Sequence, residues 1–254
     1  MAWNPNIYNQ FKTERSAPFF DLLAMLERKS VSDAVDLGCG TGELTQHLAA
    51  ALPGAHVLGV DSSREMLEKS AVLATERLRF ECISIDGLLA SGQPWDVIFS
   101  NAAIQWVPDH ASLFPKLIAA IRPGGQLLIQ MPNQHRNISN RLLHELAERE
   151  RYTTMLQGWD RLSPVLGIED YSELLFENDA KSIHVFEKVY PLVLPDVNAL
   201  LEWVSGTALI PYLERLGEEI RDRFVQDYRD LLRQHFIKTP VFYPFRRILM
   251  AATF

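Results

Sequence analysis

Between Ser32 and Met131, short apolar runs alternate with segments of helical spacing. A parallel sheet with crossover helices is written this way in sequence. Ala34–Leu37 is an apolar run that ends in glycine-rich sequence and reads as the first strand. Leu44–Leu52 has the helical period and stops at Pro53-Gly54, and Val57–Val60 follows as the second strand. The next helix is expected over Arg64–Ala74. Leu78–Ile85 then alternates as a third strand, with Phe80, Cys82 and Ser84 on one side. Trp95–Ser100 is apolar throughout, as a strand covered on both faces should be. Leu113–Ile121 is helical, Arg122-Pro123-Gly124-Gly125 breaks it, and Gln126–Met131 is the fifth strand.

Beyond Pro132 the texture changes. Helical periodicity recurs over Ser139–Leu156, Tyr171–Phe176, Asn198–Trp203 and Glu218–Gln234, and strands fit His184–Leu192 and Arg247–Thr253. At the other end, Tyr8, Phe11 and Arg15 are spaced to share one helical face. The expected class is therefore α/β, a doubly wound sheet completed late in the chain by two strands. The organisation expected is one domain over 1–254. It has N-terminal lid helices (1–30), a core (31–132), a helical cap over the strand ends (133–183 and 196–238) and closing strands (184–192 and 247–253).

Composition narrows the choice of function. Of the 254 residues 47% are hydrophobic, enough for a sizeable core, and the net charge is −7 with no basic run to draw a phosphate backbone. No apolar stretch approaches the roughly 20 residues that span a bilayer. The first residues have neither a basic region nor an apolar signal core. Cys39 and Cys82 are too few for a disulfide framework or a zinc site, and His144-Glu145-Leu146-Ala147-Glu148 lacks the second histidine of a zinc-protease helix. A cytoplasmic, monomeric protein without metal, nucleic acid or membrane partners is expected.

Asp36-Leu37-Gly38-Cys39-Gly40-Thr41-Gly42 carries the strongest chemistry. A glycine loop between a strand and a helix turns backbone N–H groups and a helix N-terminus toward a ligand over the strand ends. The spacing is G-x-G-x-G, and Glu43 stands where a G-x-G-x-x-G dinucleotide fingerprint has its third glycine and would sit badly beside a pyrophosphate. Asp36 at the strand end suits a ligand bearing an ammonium group better than one bearing phosphates. Asp61 ends the second strand 19 residues beyond Gly42, where this kind of fold offers a carboxylate to a ribose diol. By itself such an aspartate is as readily a helix cap, a role Ser62 and Ser63 could also fill. Asp86-Gly87 follows the third strand and could meet the amine of an adenine, or simply turn the chain. After the fourth strand, Ser100-Asn101-Ala102-Ala103-Ile104-Gln105-Trp106 leaves room over the strand ends, and Trp106 could wall a pocket or fill the core.

These residues resemble those of class I S-adenosylmethionine-dependent methyltransferases. The resemblance implies a seven-stranded sheet whose last strand runs antiparallel, with S-adenosylmethionine as cofactor. It also implies a cofactor site of Asp36, Gly38, Gly40, Gly42, Asp61, Ser62, Met66, Asp86, Gly87, Asn101, Ala102, Gln105 and Trp106, covered by Tyr8, Phe11 and Arg15. Within that class the chain is similar to the trans-aconitate methyltransferases, from Trp3-Asn4-Pro5 through Gln105-Trp106-Val107-Pro108-Asp109-His110 and Gln130-Met131-Pro132 to Trp203-Val204 and Arg247. Two stretches depart from that pattern. Asn137-Ile138-Ser139-Asn140 stands where Glu-Pro-x-His is expected, and Glu169 stands where a histidine is expected.

The chemistry so implied is in-line methyl transfer to a carboxylate. Such a group, with a pKa of about 4, is ionised at neutral pH and needs no base. No catalytic dyad is expected, only positioning and an arginine fork for the rest of a polyanion. Arg247, Tyr171, Trp203 and Tyr212 are the candidates for holding a small carboxylic acid. A malonyl-carrier-protein O-methyltransferase and a non-catalytic cofactor-binding module are the competing readings, whereas the glycine spacing disfavours an NAD oxidoreductase. The absence of Asn-Pro-Pro-aromatic after the fourth strand weighs against nucleic-acid bases as substrate.

Overall fold

The parallel strands form over the apolar runs that predicted them. In a computed structural model, which describes residues 12–27, 30–159 and 163–254, these are β1 (Asp33–Leu37), β2 (His56–Asp61), β3 (Leu78–Cys82), β4 (Trp95–Asn101) and β5 (Ile121–Pro132). They pair in parallel, β3 on β2, β2 on β1, β1 on β4 and β4 on β5. Two late strands, β6 (Ser182–Leu194) and β7 (Val241–Thr253), complete a seven-stranded sheet of order β3-β2-β1-β4-β5-β7-β6. β7 is antiparallel to β5, with Gln130 opposite Leu249 and Pro132 opposite Arg247. Burial follows position: in the central β4, Val97–Ser100 are all buried, whereas β3 at one edge buries Leu78 alone.

The helices are α1 (Lys12–Ala24), α2 (Glu43–Ala51), α3 (Arg64–Glu68), α4 (Ile85–Ala90), α5 (His110–Ala119), α6 (Ile138–Ala147), α7 (Glu150–Met155), α8 (Ile168–Glu177), α9 (Val197–Ser205), α10 (Ile210–Arg215) and α11 (Glu218–His235). Several differ from expectation for physical reasons. The helix expected to reach Ala74 stops at Glu68, since none of its residues is buried against a neighbour. The third strand ends at Cys82, so Asp86 lies in the first turn of α4, where the Ser84 hydroxyl accepts from Gly87 N at 3.1 Å as the N-cap. β5 begins at Ile121 and runs through the Arg-Pro-Gly-Gly segment, absorbing a register shift between Trp95 and Val97, with Gly124 at φ +83°. β7 begins at Val241, not Arg247, because Val241 and Tyr243 already point inward. The helix expected over Ser139–Leu156 is two, α6 and α7, and α10 lies in a region where no helix was predicted.

The chain gathers into two compact units. The sheet unit comprises Ser16–Pro132, Pro164–Lys188 and Arg247–Phe254. Its core joins Val35, Leu37, Ile98, Leu127, Ile129 and Ile248 to α5 and α8 through Phe114, Leu117 and Leu175. The helical unit draws on Asn133–Ser163 and Val189–Arg246. There α11 turns Phe224, Tyr228, Leu231 and Leu232 inward, an i, i+4, i+7, i+8 stripe. That stripe packs with Leu142 and Leu146 of α6 and Leu200 and Val204 of α9. The helix bearing Tyr171 belongs with the sheet unit and not, as expected, with the other late helices. No described helix is long and apolar enough to cross a membrane.

Candidate active site

Strand order reverses around β1, which pairs with β2 on one side and β4 on the other. In sheets of this kind, ligands bind in the crevice outside the carboxyl ends of the strands at that point. The glycine loop leaves β1 there, with Gly38 N and Cys39 N both donating to Val60 O, at 2.8 and 2.9 Å. Gly38 takes φ +74°, and a Cβ on it would lie 2.2 Å from the Ala103 Cβ, so the two loops touch without room for a side chain. Gly40 is also left-handed, at φ +57°, but a Cβ there would meet only Met66 Cε at 3.4 Å. A side chain at 38 is thus excluded by the protein's own packing, whereas beside Gly40 the nearest atom is Met66 Cε at 3.4 Å. Gly42 is the N-cap residue of α2, packed on Phe80.

Asp61 clips this loop in place. Its Oδ2 accepts from Gly40 N at 2.9 Å and its Oδ1 from Ser63 N at 2.8 Å. A carboxylate has about four acceptor directions, so each oxygen keeps one for a further donor. Asp36 is different: only 3% exposed, it accepts from the Thr45 hydroxyl at 2.7 Å. Burial pushes its pKa up to about 6, against the pull of the Thr45 hydrogen bond, and the charge of Asp61 adds to the rise. The same burial and the two acids raise the Cys39 thiol, leaving it a poor nucleophile. Ser62, Met66 and Asp86 are exposed beyond the ends of β2 and β3, and Gly87 is partly so.

The exit of β4 brings together residues from distant parts of the chain. Ala102 is held at φ +56°, an uncommon conformation for a residue with a Cβ, and its N–H donates to Gln130 O at 2.8 Å. Gln105, 4% exposed, donates from Nε2 to Ala102 O at 2.7 Å, and its buried Oε1 has no hydrogen-bond partner among the described residues. Trp106 is 48% exposed and so is not a core residue. Asn101 Oδ1 accepts from Gln130 Nε2 at 2.6 Å, and Gln130 Oε1 accepts from Arg247 Nη1 at 2.8 Å. This polar row crosses β4, β5 and β7, with Gln130 fully buried and Arg247 8% exposed. Sequence reading singled out Asn101 and Arg247 but missed Gln130, whose signal was a lone amide in the apolar run Leu127–Met131.

The aromatics expected to face the substrate are buried. Tyr171 is fully buried beside Phe114, with ring centroids 5.0 Å apart. His110 donates from Nε2 to Ile104 O at 2.9 Å, so its Nδ1 accepts from the Tyr171 hydroxyl at 2.5 Å, and that oxygen accepts from Leu166 N at 3.0 Å. Burial holds the imidazole pKa below its usual value, against the hydrogen bonds to the Ile104 and Val107 backbone and the nearby Asp109. Tyr171 thus braces the sheet unit, its side chain fully buried. Trp203 and Tyr212 are 7% and 3% exposed in the core of the helical unit, packed on Phe245 and on Trp159 and Phe224. Tyr8 and Phe11 lie outside the described residues, and of Arg15 only the helical backbone is described.

Residues 29–176 match the family model of a methyltransferase domain. The chain is 45% identical over 259 aligned positions to trans-aconitate 2-methyltransferase of Deinococcus radiodurans, covering 100% of this chain and 98% of that protein. The corresponding enzyme of Paracidovorax citrulli is 39% identical, over 89% of this chain and 87% of its own. Among solved structures, the YcgJ protein of Bacillus subtilis superposes with a TM-score of 0.60 at 14% identity, covering 93% of this chain and 97% of that one.

Proposed function

The chain belongs to the methyltransferase domain family, and from that premise we propose that it methylates a carboxylate of a small polycarboxylic acid, trans-aconitate foremost, using S-adenosylmethionine. The observation that carries this reading is the full-length likeness to trans-aconitate 2-methyltransferases, joined to a glycine loop and acid pair at the reversal of the strand order. The residues suit the cofactor. Asp36, a desolvated carboxylate, calls for a cationic partner, and an ammonium group supplies one. Asp61 has an acceptor direction left on each oxygen for a pair of ribose hydroxyls. Gly40, bordered only by the end of the flexible Met66 side chain, lets a ligand approach the backbone. Asp86 and Gly87 are assigned to the adenine end, with Met66 and Trp106 as apolar cover.

When bound, the cofactor supplies an electrophilic methyl group on a sulfonium. The chain's own task is positioning. The acid is ionised at neutral pH, so no side chain has to remove a proton. Alignment at near-attack distance can supply roughly 7–11 kcal/mol toward the barrier. Arg247, held by Gln130 and through it by Asn101, is assigned to the acid, because a guanidinium kept in one orientation by neighbouring amides binds a carboxylate with little loss of side-chain freedom. The test is methyl-ester formation from labelled S-adenosylmethionine across a panel of di- and tricarboxylic acids and a malonyl carrier thioester. Turnover with trans-aconitate is expected. Turnover with the thioester alone, or cofactor binding without turnover on any acid, would overturn the reading.

A further inference from the structure

The helical unit contains a cavity of about 160 Å³ lined by Gln134, His135, Asn140, Arg141, His144 and Tyr212, among others. No carboxylate is among the described residues that line it. In a chain with 32 acidic residues against 25 lysines and arginines, a concave surface lined by an arginine and two histidines and no acid stands out. Of the three, His144 lies 3.4 Å from Glu148. The side chains of Arg141 and His135 make no hydrogen bond or ion pair with any described residue.

Two buried features point the same way. Gln134 is 8% exposed, and its Oε1 is taken by the Ser163 hydroxyl at 2.7 Å. Its Nε2 has no partner among the described residues, so an amide donor on a buried residue is left for the cavity. The N-terminus of the ten-residue α6 also lacks a side-chain cap. Asn137, the N-cap residue, spends its amide on the backbone of Arg246, giving Nδ2 to its carbonyl at 3.0 Å and accepting its N–H at 2.8 Å. The positive end of that helix is thus not offset by the residue that would normally do so. Asn140 and Arg141 stand in its first turn.

We propose that this cavity is a carboxylate site, holding a carboxylate of the polycarboxylic acid through Arg141, His135 and the Gln134 amide. The proposal rests on the acid-methyltransferase reading for its choice of ligand. Donors without acceptors, one on a buried residue and one in the first turns of a helix, select an anion. The planar guanidinium favours a carboxylate that it can grip with two N–H groups.

The test is calorimetric titration of the full chain with tricarballylate, a saturated tricarboxylate, for the parent, Arg141→Gln and His135→Asn. Both substituted side chains are exposed, and unchanged melting temperatures establish that the variants fold. Arg141→Gln should weaken tricarballylate by about tenfold or more, the loss expected for hydrogen bonds to a charged group. The KM for trans-aconitate should rise in step while the Kd for S-adenosylmethionine stays at the parental value. Parental affinity and KM in both variants, or no tricarballylate binding by the parent, would overturn the site. If the parent methylates trans-aconitate and Arg141→Gln does so with unchanged KM, the activity stands and the site falls. If tricarballylate binds through Arg141 but no acid is methylated, the site stands and the activity falls.

Discussion

Replacing Asp36 by asparagine should stabilise the ligand-free protein at neutral pH while weakening its hold on the cofactor. In the fold this carboxyl is 3% exposed, and burial raises its pKa to about 6 from the usual 3.8. Below about pH 3 it is largely protonated in both folded and unfolded chains and costs nothing. As the pH rises toward 6 the unfolded chain ionises it and the folded one resists, so stability falls. Above 6 the penalty is constant, at about 3 kcal/mol from 1.36 kcal/mol per pKa unit. Asparagine can still accept from Thr45 Oγ1 but never ionises. Urea unfolding of both proteins at about pH 7.5 and about pH 4 gives two stability differences. Subtracting them cancels the fit of the new amide and the titrating groups that do not interact with Asp36, His110 among them. The variant should gain about 2–3 kcal/mol relative to the parent between the lower and the higher pH. Calorimetry at neutral pH should meanwhile find weaker S-adenosylmethionine binding. A stability difference that does not change with pH would refute the desolvated carboxylate, and unchanged affinity would refute its role toward an ammonium group.

Three further outcomes are expected. Gly38→Ala combines a left-handed backbone with a Cβ 2.2 Å from that of Ala103; chemical denaturation should find a loss of about 2–5 kcal/mol from backbone strain and overpacking. Gln130→Leu removes an acceptor from Arg247 and a donor from Asn101, so it should cost about 2–4 kcal/mol by urea unfolding and raise the KM for the acid more than the cofactor Kd. Tyr171→Phe leaves the His110 Nδ1 acceptor and the Leu166 N–H without their hydroxyl partner; a loss of about 1–3 kcal/mol by thermal unfolding, with an unchanged KM, would separate bracing from substrate contact.

What the sequence by itself determined lies within short reach along the chain. A run such as Ala34–Leu37 followed by closely spaced glycines reads as a strand, a left-handed turn and a helix start, because apolar period and backbone sterics act over a few residues. The alternation from β1 to β5, and Asp36 and Asp61 at their strand ends, were legible for that reason. Strand boundaries were less so: β5 and β7 begin five and six residues earlier than the pattern indicated, since their first residues are held by neighbours and not by their own period. Periodicity marked the helix of Tyr171 but could not say that its hydroxyl would meet a histidine 61 residues away. Nor could it align Asn101 with Gln130, 29 residues on, or Gln130 with Arg247, 117 residues on, because register between strands joins segments that share no local pattern. The strained Ala102 and the unpaired donors around Arg141 belong to the same class: each depends on which groups the packed chain has already used, and only tertiary structure decides that.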